Sequence, residues 1–151
     1  MRIDSHSAAS RHRFPVRVYF EDTDAGGIVY YANYFKFAER ARTEMMRAAG
    51  AEHAAMMRES GTMFAVRRCE ADFLAPARLD DALEVETAIV ELGRASLWAE
   101  QIVRRDGQDL ARLRVRLACI GADGRPAALP KRVRAALDPA PGPGPQRKER
   151  H

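Results

Sequence analysis

Two aspartates stand one residue apart in Asp22-Thr23-Asp24, and Ala25-Gly26-Gly27 follows them, between a stretch that alternates like a strand and one that repeats like a helix. A turn in that place can aim a carboxylate and backbone N–H groups at one point, because the first N–H groups of a helix have no partner inside it. Such a carboxylate can attack an electrophilic carbonyl or take a proton from water, while N–H donors steady the anion that develops. Asp24 is the candidate carboxylate, and Gly26 and Gly27 let the backbone take positive φ or approach a ligand closely. Asp22 reads as a turn residue. The structural alternative stands beside this for both residues, since aspartates near a helix start cap N–H groups and suit the helix dipole.

Two other uses of an acidic turn fail. A calcium loop opening at Asp22 needs Glu at its twelfth position, which is Asn33. An aspartyl-phosphatase arrangement leans on a parallel α/β sheet, and the chain downstream reads as antiparallel.

The elements around the turn follow from periodicity. Residues 14–21 alternate, with Phe14, Val16, Val18 and Phe20 on one face and Arg17, Tyr19 and Glu21 on the other, which predicts a half-buried strand. From about Tyr31 to Ala49, Tyr34, Phe37, Ala38, Ala41, Met45 and Ala48 recur at three and four, the mark of a helix with one apolar face. Arg40 and Glu44 are spaced to pair on its other side, and Gly50 stops it. A shorter helical piece near 52–59 closes at Gly61. Four strands then follow with short turns: about Thr62 to Leu74, a run through Leu83, Val85, Thr87 and Ile89, a run through Leu97 and Val103, and one through Leu113, Val115, Leu117 and Cys119. Asp106-Gly107 is a hairpin signal. One strand, one long helix and four further strands imply an α+β chain with the helix packed on an antiparallel sheet of about five strands.

The length suits one domain, expected at residues 14–137, with a mobile arm over 1–13 and a disordered basic tail over 138–151. The formal charge of +4 resolves into +2 on residues 1–13, +4 on 131–151 and −2 on the remainder. A nucleic-acid protein is expected to carry its cations on a folded face, so no nucleic-acid partner is expected. No stretch has the roughly 20 apolar residues of a transmembrane segment, and no secretory leader opens the chain, which predicts a cytoplasmic protein. Cys69 and Cys119 lie in apolar strand patterns and read as buried free thiols, and no metal motif is found.

The block Glu21-Asp22-Thr23-Asp24-Ala25-Gly26-Gly27-Ile28-Val29-Tyr30, with Ala32-Asn33-Tyr34 and Glu39-Arg40-Ala41-Arg42-Thr43-Glu44, resembles the hotdog-fold acyl-CoA thioesterases of the 4-hydroxybenzoyl-CoA thioesterase type. The likeness is closest to the Tol-Pal-system-associated (YbgC-type) branch. It continues more loosely through Ala71-Asp72-Phe73-Leu74 and Leu92-Gly93-Arg94-Ala95-Ser96, and covers about residues 14–135. Tyr31 stands where that branch usually has His and the hydroxybenzoyl-CoA enzymes have Tyr.

The resemblance implies a hotdog fold, a sheet wrapped around one long helix, that hydrolyses an acyl-CoA to free acid and coenzyme A without metal or cofactor. Asp24 would be nucleophile or general base, and the backbone N–H of Tyr31 would hold the thioester oxygen. Gly27, Arg94 and Ser96 would bind substrate, with Arg94 on the phosphates of coenzyme A or, on the plain reading, a solvated turn residue. It also implies a homodimer or homotetramer, with the site between chains and Asp24 and Arg94 drawn from different ones. The aromatic run of Tyr30, Tyr31 and Tyr34 suggests a short-chain or aromatic acyl group. The alternative function is a non-catalytic acyl-CoA-binding or assembly module linked to the Tol-Pal system. A hotdog hydratase would need an Asp-His pair that the chain lacks.

Overall fold

The computed structural model describes residues 11–139. It contains β1 (His12–Arg17), α1 (Ala32–Ala48), α2 (His53–Ser60), β2 (Met63–Phe73), β3 (Ala82–Leu92), β4 (Ser96–Arg105), β5 (Gln108–Ile120) and α3 (Lys131–Leu137). The five strands form one sheet in the order β1-β3-β4-β5-β2, with every neighbouring pair antiparallel. The expected α+β layout of a sheet packed on one long helix is therefore present. Asp106 and Gly107, at φ 51° and 82°, make the tight turn between β4 and β5. Residues 1–10 and 140–151, most of the expected arm and tail, lie outside the described residues.

Four details differ from expectation. First, β1 starts at His12 and stops at Arg17, four residues before Glu21, because Phe20–Asp22 form a short 3-10 turn. The turn breaks the period of two and leaves Phe20 at 80 % exposure instead of inside with Val16 and Val18. Second, Met46 rather than Ala48 closes the buried stripe of α1. Gly50, at φ 77°, folds the chain back so that Gly50 N–H reaches Arg47 O and Ala51 N–H reaches Met46 O, burying Ala51 against the helix end. Third, Glu44 pairs with Arg47 at 3.3 Å, not with Arg40, and Arg47 also holds Glu52 at 3.1 Å. Fourth, Cys119 is buried but Cys69 is exposed, because β2 lies at the sheet edge and bonds only to β5.

The helix α3 is absent from the periodicity reading. Val133 and Leu137, four apart and both buried, are its inward face, and Pro130 opens it. Its signal is one apolar pair in a basic stretch.

Where α1 meets the sheet, Gln101 of β4 is fully buried. Its Nε2 donates to Ala38 O at 2.9 Å and to Thr87 Oγ1 at 3.0 Å, and its Oε1 accepts from Arg42 at 3.0 Å. Burial pulls the Arg42 guanidinium below its ordinary pKa, so that cation depends on its acceptor. Replacing Gln101 by Leu removes the acceptor and strands Thr87 Oγ1. The expected result is a loss of about 2–4 kcal/mol in denaturant unfolding, with Arg47→Ala on the surface shifting the midpoint far less.

Candidate active site

The turn between β1 and α1 is built by its own hydrogen bonds. Asp22 is buried, and its Oδ2 accepts from Tyr19 N–H at 2.8 Å, which closes the 3-10 turn. Its backbone oxygen accepts from Tyr30 N–H at 3.0 Å and from Asn33 Nδ2 at 2.8 Å, tying the turn to the start of α1. Asp22 is thus the structural aspartate, as its turn reading expects. Asn33 belongs to the matched block, but its anchoring bond is invisible to residue type alone.

Asp24 does the opposite and faces solvent. Its N–H donates to Ile28 O at 2.9 Å, and its backbone oxygen accepts from Gly27 N–H at 3.0 Å. Its Oδ1 accepts from Gly26 N–H at 2.8 Å and weakly from Ile28 N–H at 3.4 Å. No hydrogen bond among the described residues reaches Oδ2, so one carboxylate oxygen is held by the turn and the other is not.

The two glycines divide the work. Gly27 sits at φ 83° with open space around it, so its need is conformational. A Cβ on Gly26 would lie 3.3 Å from Asp24 Oδ1, so there the need is room for the carboxylate. Gly27→Ala is expected to cost about 1–2 kcal/mol from left-handed backbone strain, read as a lower midpoint of thermal unfolding.

Tyr31 precedes α1, which has no side-chain cap at its start. The Tyr31 N–H has no acceptor among the described residues, so it remains a donor at the positive end of the helix. The Tyr31 ring is half exposed and packs on Tyr30 at 5.0 Å and edge-on to Phe73 at 5.8 Å between centroids. Beside it an open groove of about 290 Å³ is lined by Ile28, Val29, Tyr34, Phe73, Leu74 and their neighbours. Tyr34 points inward: its buried hydroxyl accepts from Ala77 N–H at 3.0 Å, and burial raises its pKa. Of the three tyrosines, Tyr31 and Tyr34 line the groove, and Tyr30 lies outside it.

Arg94 and Ser96 lie elsewhere. The Asp24 turn pairs with the segment before β3, through Ile28 with Arg78 and Val29 N–H with Ala77 O. Arg94 follows the far end of β3, where Leu92 pairs with Leu97. An eleven-residue strand spans about 35 Å, so one chain does not bring Asp24 and Arg94 together. Arg94 is exposed, and its backbone oxygen accepts from Leu129 N–H at 2.9 Å. Gly93 N–H bonds to Ser96 O at 2.8 Å, and the Arg134 side chain reaches Gly93 O, so α3 packs against this turn. The Arg134 cation of α3 is a signal that only the fold places at this turn.

The chain matches the sequence profile of the Thioesterase-like superfamily over residues 18–137. It is 43 % identical over 125 residues to an acyl-CoA thioesterase YbgC of Haemophilus influenzae, covering 82 % of this chain and 92 % of that one. Among solved structures, a probable thioesterase of Bartonella henselae superposes with a TM-score of 0.76 at 36 % identity, over 80 % of this chain and 99 % of that one. A 4-hydroxybenzoyl-CoA thioesterase in complex with 4-hydroxybenzoyl-CoA shares the fold, with a TM-score of 0.80 at 24 % identity over 85 % of this chain and 99 % of that one.

Proposed function

The chain belongs to the thioesterase-like superfamily with the hotdog fold, and from that premise we propose that it hydrolyses acyl-CoA thioesters to free acid and coenzyme A. The observation that carries the chemistry is the Asp24 carboxylate, held through Oδ1, on the turn leading to the Tyr31 N–H, with Oδ2 and that N–H both without a hydrogen-bond partner among the described residues. Asp24 either attacks the thioester carbonyl, releasing the coenzyme A thiolate and leaving a mixed anhydride for water to open, or takes a proton from the water that attacks. On both routes the carbonyl oxygen gains negative charge, and the Tyr31 N–H is the donor offered to it. A backbone donor accounts for Tyr serving at this position as well as His. Gly27 keeps the turn open at the substrate, and the groove beyond it receives a short-chain or aromatic acyl group.

Arg94 and Ser96 enter from a second copy. Among the described residues β2 leaves a strand edge of 11 residues unpaired, with Met63 and Val66 exposed along it. An edge of that length is stable when paired or covered. β2 runs from the Arg94 end of the sheet, where Met63 faces Ile120, to the Asp24 end, where Phe73 faces Ala111. Antiparallel pairing of two β2 edges about a twofold axis reverses the second sheet. The Arg94 end of one chain then lies beside the Asp24 end of the other. We therefore propose a homodimer, or a homotetramer made of two such pairs, with Arg94 of one chain holding phosphates of the coenzyme A that Asp24 of its partner acts on. No helix among the described residues is long and apolar enough to cross a membrane, and we place the enzyme in the cytoplasm.

The test is thiol release by the purified protein from acyl-CoAs between acetyl and palmitoyl, with benzoyl-CoA. Tight binding of acyl-CoA with no thiol released over hours would overturn hydrolysis in favour of a non-catalytic acyl-CoA-binding module.

A further inference from the structure

We propose that Phe73 decides which acyl groups are accepted, an inference that rests on the thioesterase reading. Phe73 is the last residue of β2, opposite Ala111 of β5. Directly after it, the N–H groups of Leu74 and Ala75 both donate to Leu110 O, at 2.8 and 3.2 Å, so the backbone beneath the ring is pinned. The ring meets Tyr31 and Phe35 edge-on at 5.8 and 6.1 Å and Tyr34 at 5.6 Å. Three aromatic neighbours therefore fix its orientation, yet Phe73 remains 45 % exposed. Phe73 lines the groove together with Ile28 and Leu74.

An aromatic ring packed on three rings at the start of α1 and 45 % exposed is a wall with room for one more apolar surface. A flat acyl group satisfies it, since ring pairs gain from offset or edge-to-face contact at about 4.5–7 Å beyond their area burial. A long flexible chain needs the volume the ring occupies. The groove wall is tied to the Asp24 turn, because Ile28 donates its N–H to Asp24 Oδ1 and its carbonyl accepts from Asp24 N–H. Phe73 is thus a specificity-determining residue supplied by a strand far from the Asp24 turn in sequence.

The experiment measures kcat/KM for benzoyl-CoA and octanoyl-CoA with wild type, Phe73→Ala and Phe73→Leu. The Kd of the matching non-hydrolysable acyl-CoA thioethers is measured alongside. Phe73→Ala is expected to move the benzoyl-to-octanoyl ratio toward octanoyl by about tenfold or more, in kcat/KM and in Kd, the scale set by a pocket that gains a few methylenes of space. Phe73→Leu keeps bulk and loses the ring, so benzoyl is expected to weaken while octanoyl stays excluded. A ratio that moves less than about twofold in Phe73→Ala, with native unfolding behaviour, overturns the proposal. If the wild type releases no thiol from any acyl-CoA, the thioesterase reading fails by itself, and the thioether Kd ratio still decides whether Phe73 selects the acyl group.

Discussion

Asp24→Asn is expected to lower kcat for thiol release by about 10³-fold while leaving the protein folded, the scale for removing a positioned base or nucleophile. The substitution separates chemistry from structure at this site. Asparagine retains an Oδ1 that can accept from Gly26 and Ile28 N–H, so the bonds that shape the loop survive. The atom that changes is Oδ2, which accepts no hydrogen bond among the described residues, and an amide there neither attacks nor accepts a proton. KM is expected to change little, because the groove and the Tyr31 N–H are untouched. The companion Asp22→Asn should behave in the reverse way. Its Oδ2 is buried and closes the turn on Tyr19 N–H, so its effect falls on stability before catalysis. Equal turnover by wild type and Asp24→Asn would remove Asp24 from the mechanism.

The contrast between these aspartates also shows how far residue types could be read unaided. Both lie in an acidic, glycine-bearing turn before a helix, and periodicity alone located strand, turn and helix. Exposure and partners follow from the 3-10 turn at Phe20–Asp22, a local bond pattern with no period, and it alone turned Phe20 outward. Strand pattern gave the alternation of β5 correctly because this strand lies inside the sheet and buries Leu113, Val115, Leu117 and Cys119 on one face. It misplaced Cys69 because nothing in the types within β2 states that the strand lies at an edge. The groove wall Phe73 and the helix α3 beside Arg94 have the same cause: both become neighbours of their site only through long-range pairing. The distance between Asp24 and Arg94 is the strongest case. The role of Arg94 came from resemblance alone, and the sheet places it at the end opposite the Asp24 turn.

That separation makes a mixing experiment decisive. In the proposed dimer, Asp24→Asn removes the candidate carboxylate from both sites. Arg94→Ala homodimers, assayed at substrate well below KM, are expected to lose about 10- to 100-fold in kcat/KM, the scale of a charge-assisted bond to phosphate. If each site takes Asp24 from one chain and Arg94 from its partner, a heterodimer of the two variants has one site with both substitutions and one with neither. Random exchange makes about half the particles heterodimers, so mixing two impaired proteins is expected to restore roughly a quarter of wild-type activity, as twofold symmetry requires. Light scattering should show a particle of at least twice 16.9 kDa for each protein before mixing. Placing an acid on the exposed β2 edge, as in Val66→Asp, should release the 16.9 kDa chain and abolish both the activity and its restoration. A mixture that stays at the average of its two components, with exchange confirmed by mass, would mean that Asp24 and Arg94 do not form a site across chains. A 16.9 kDa particle from the wild type at micromolar concentration would remove the shared site altogether.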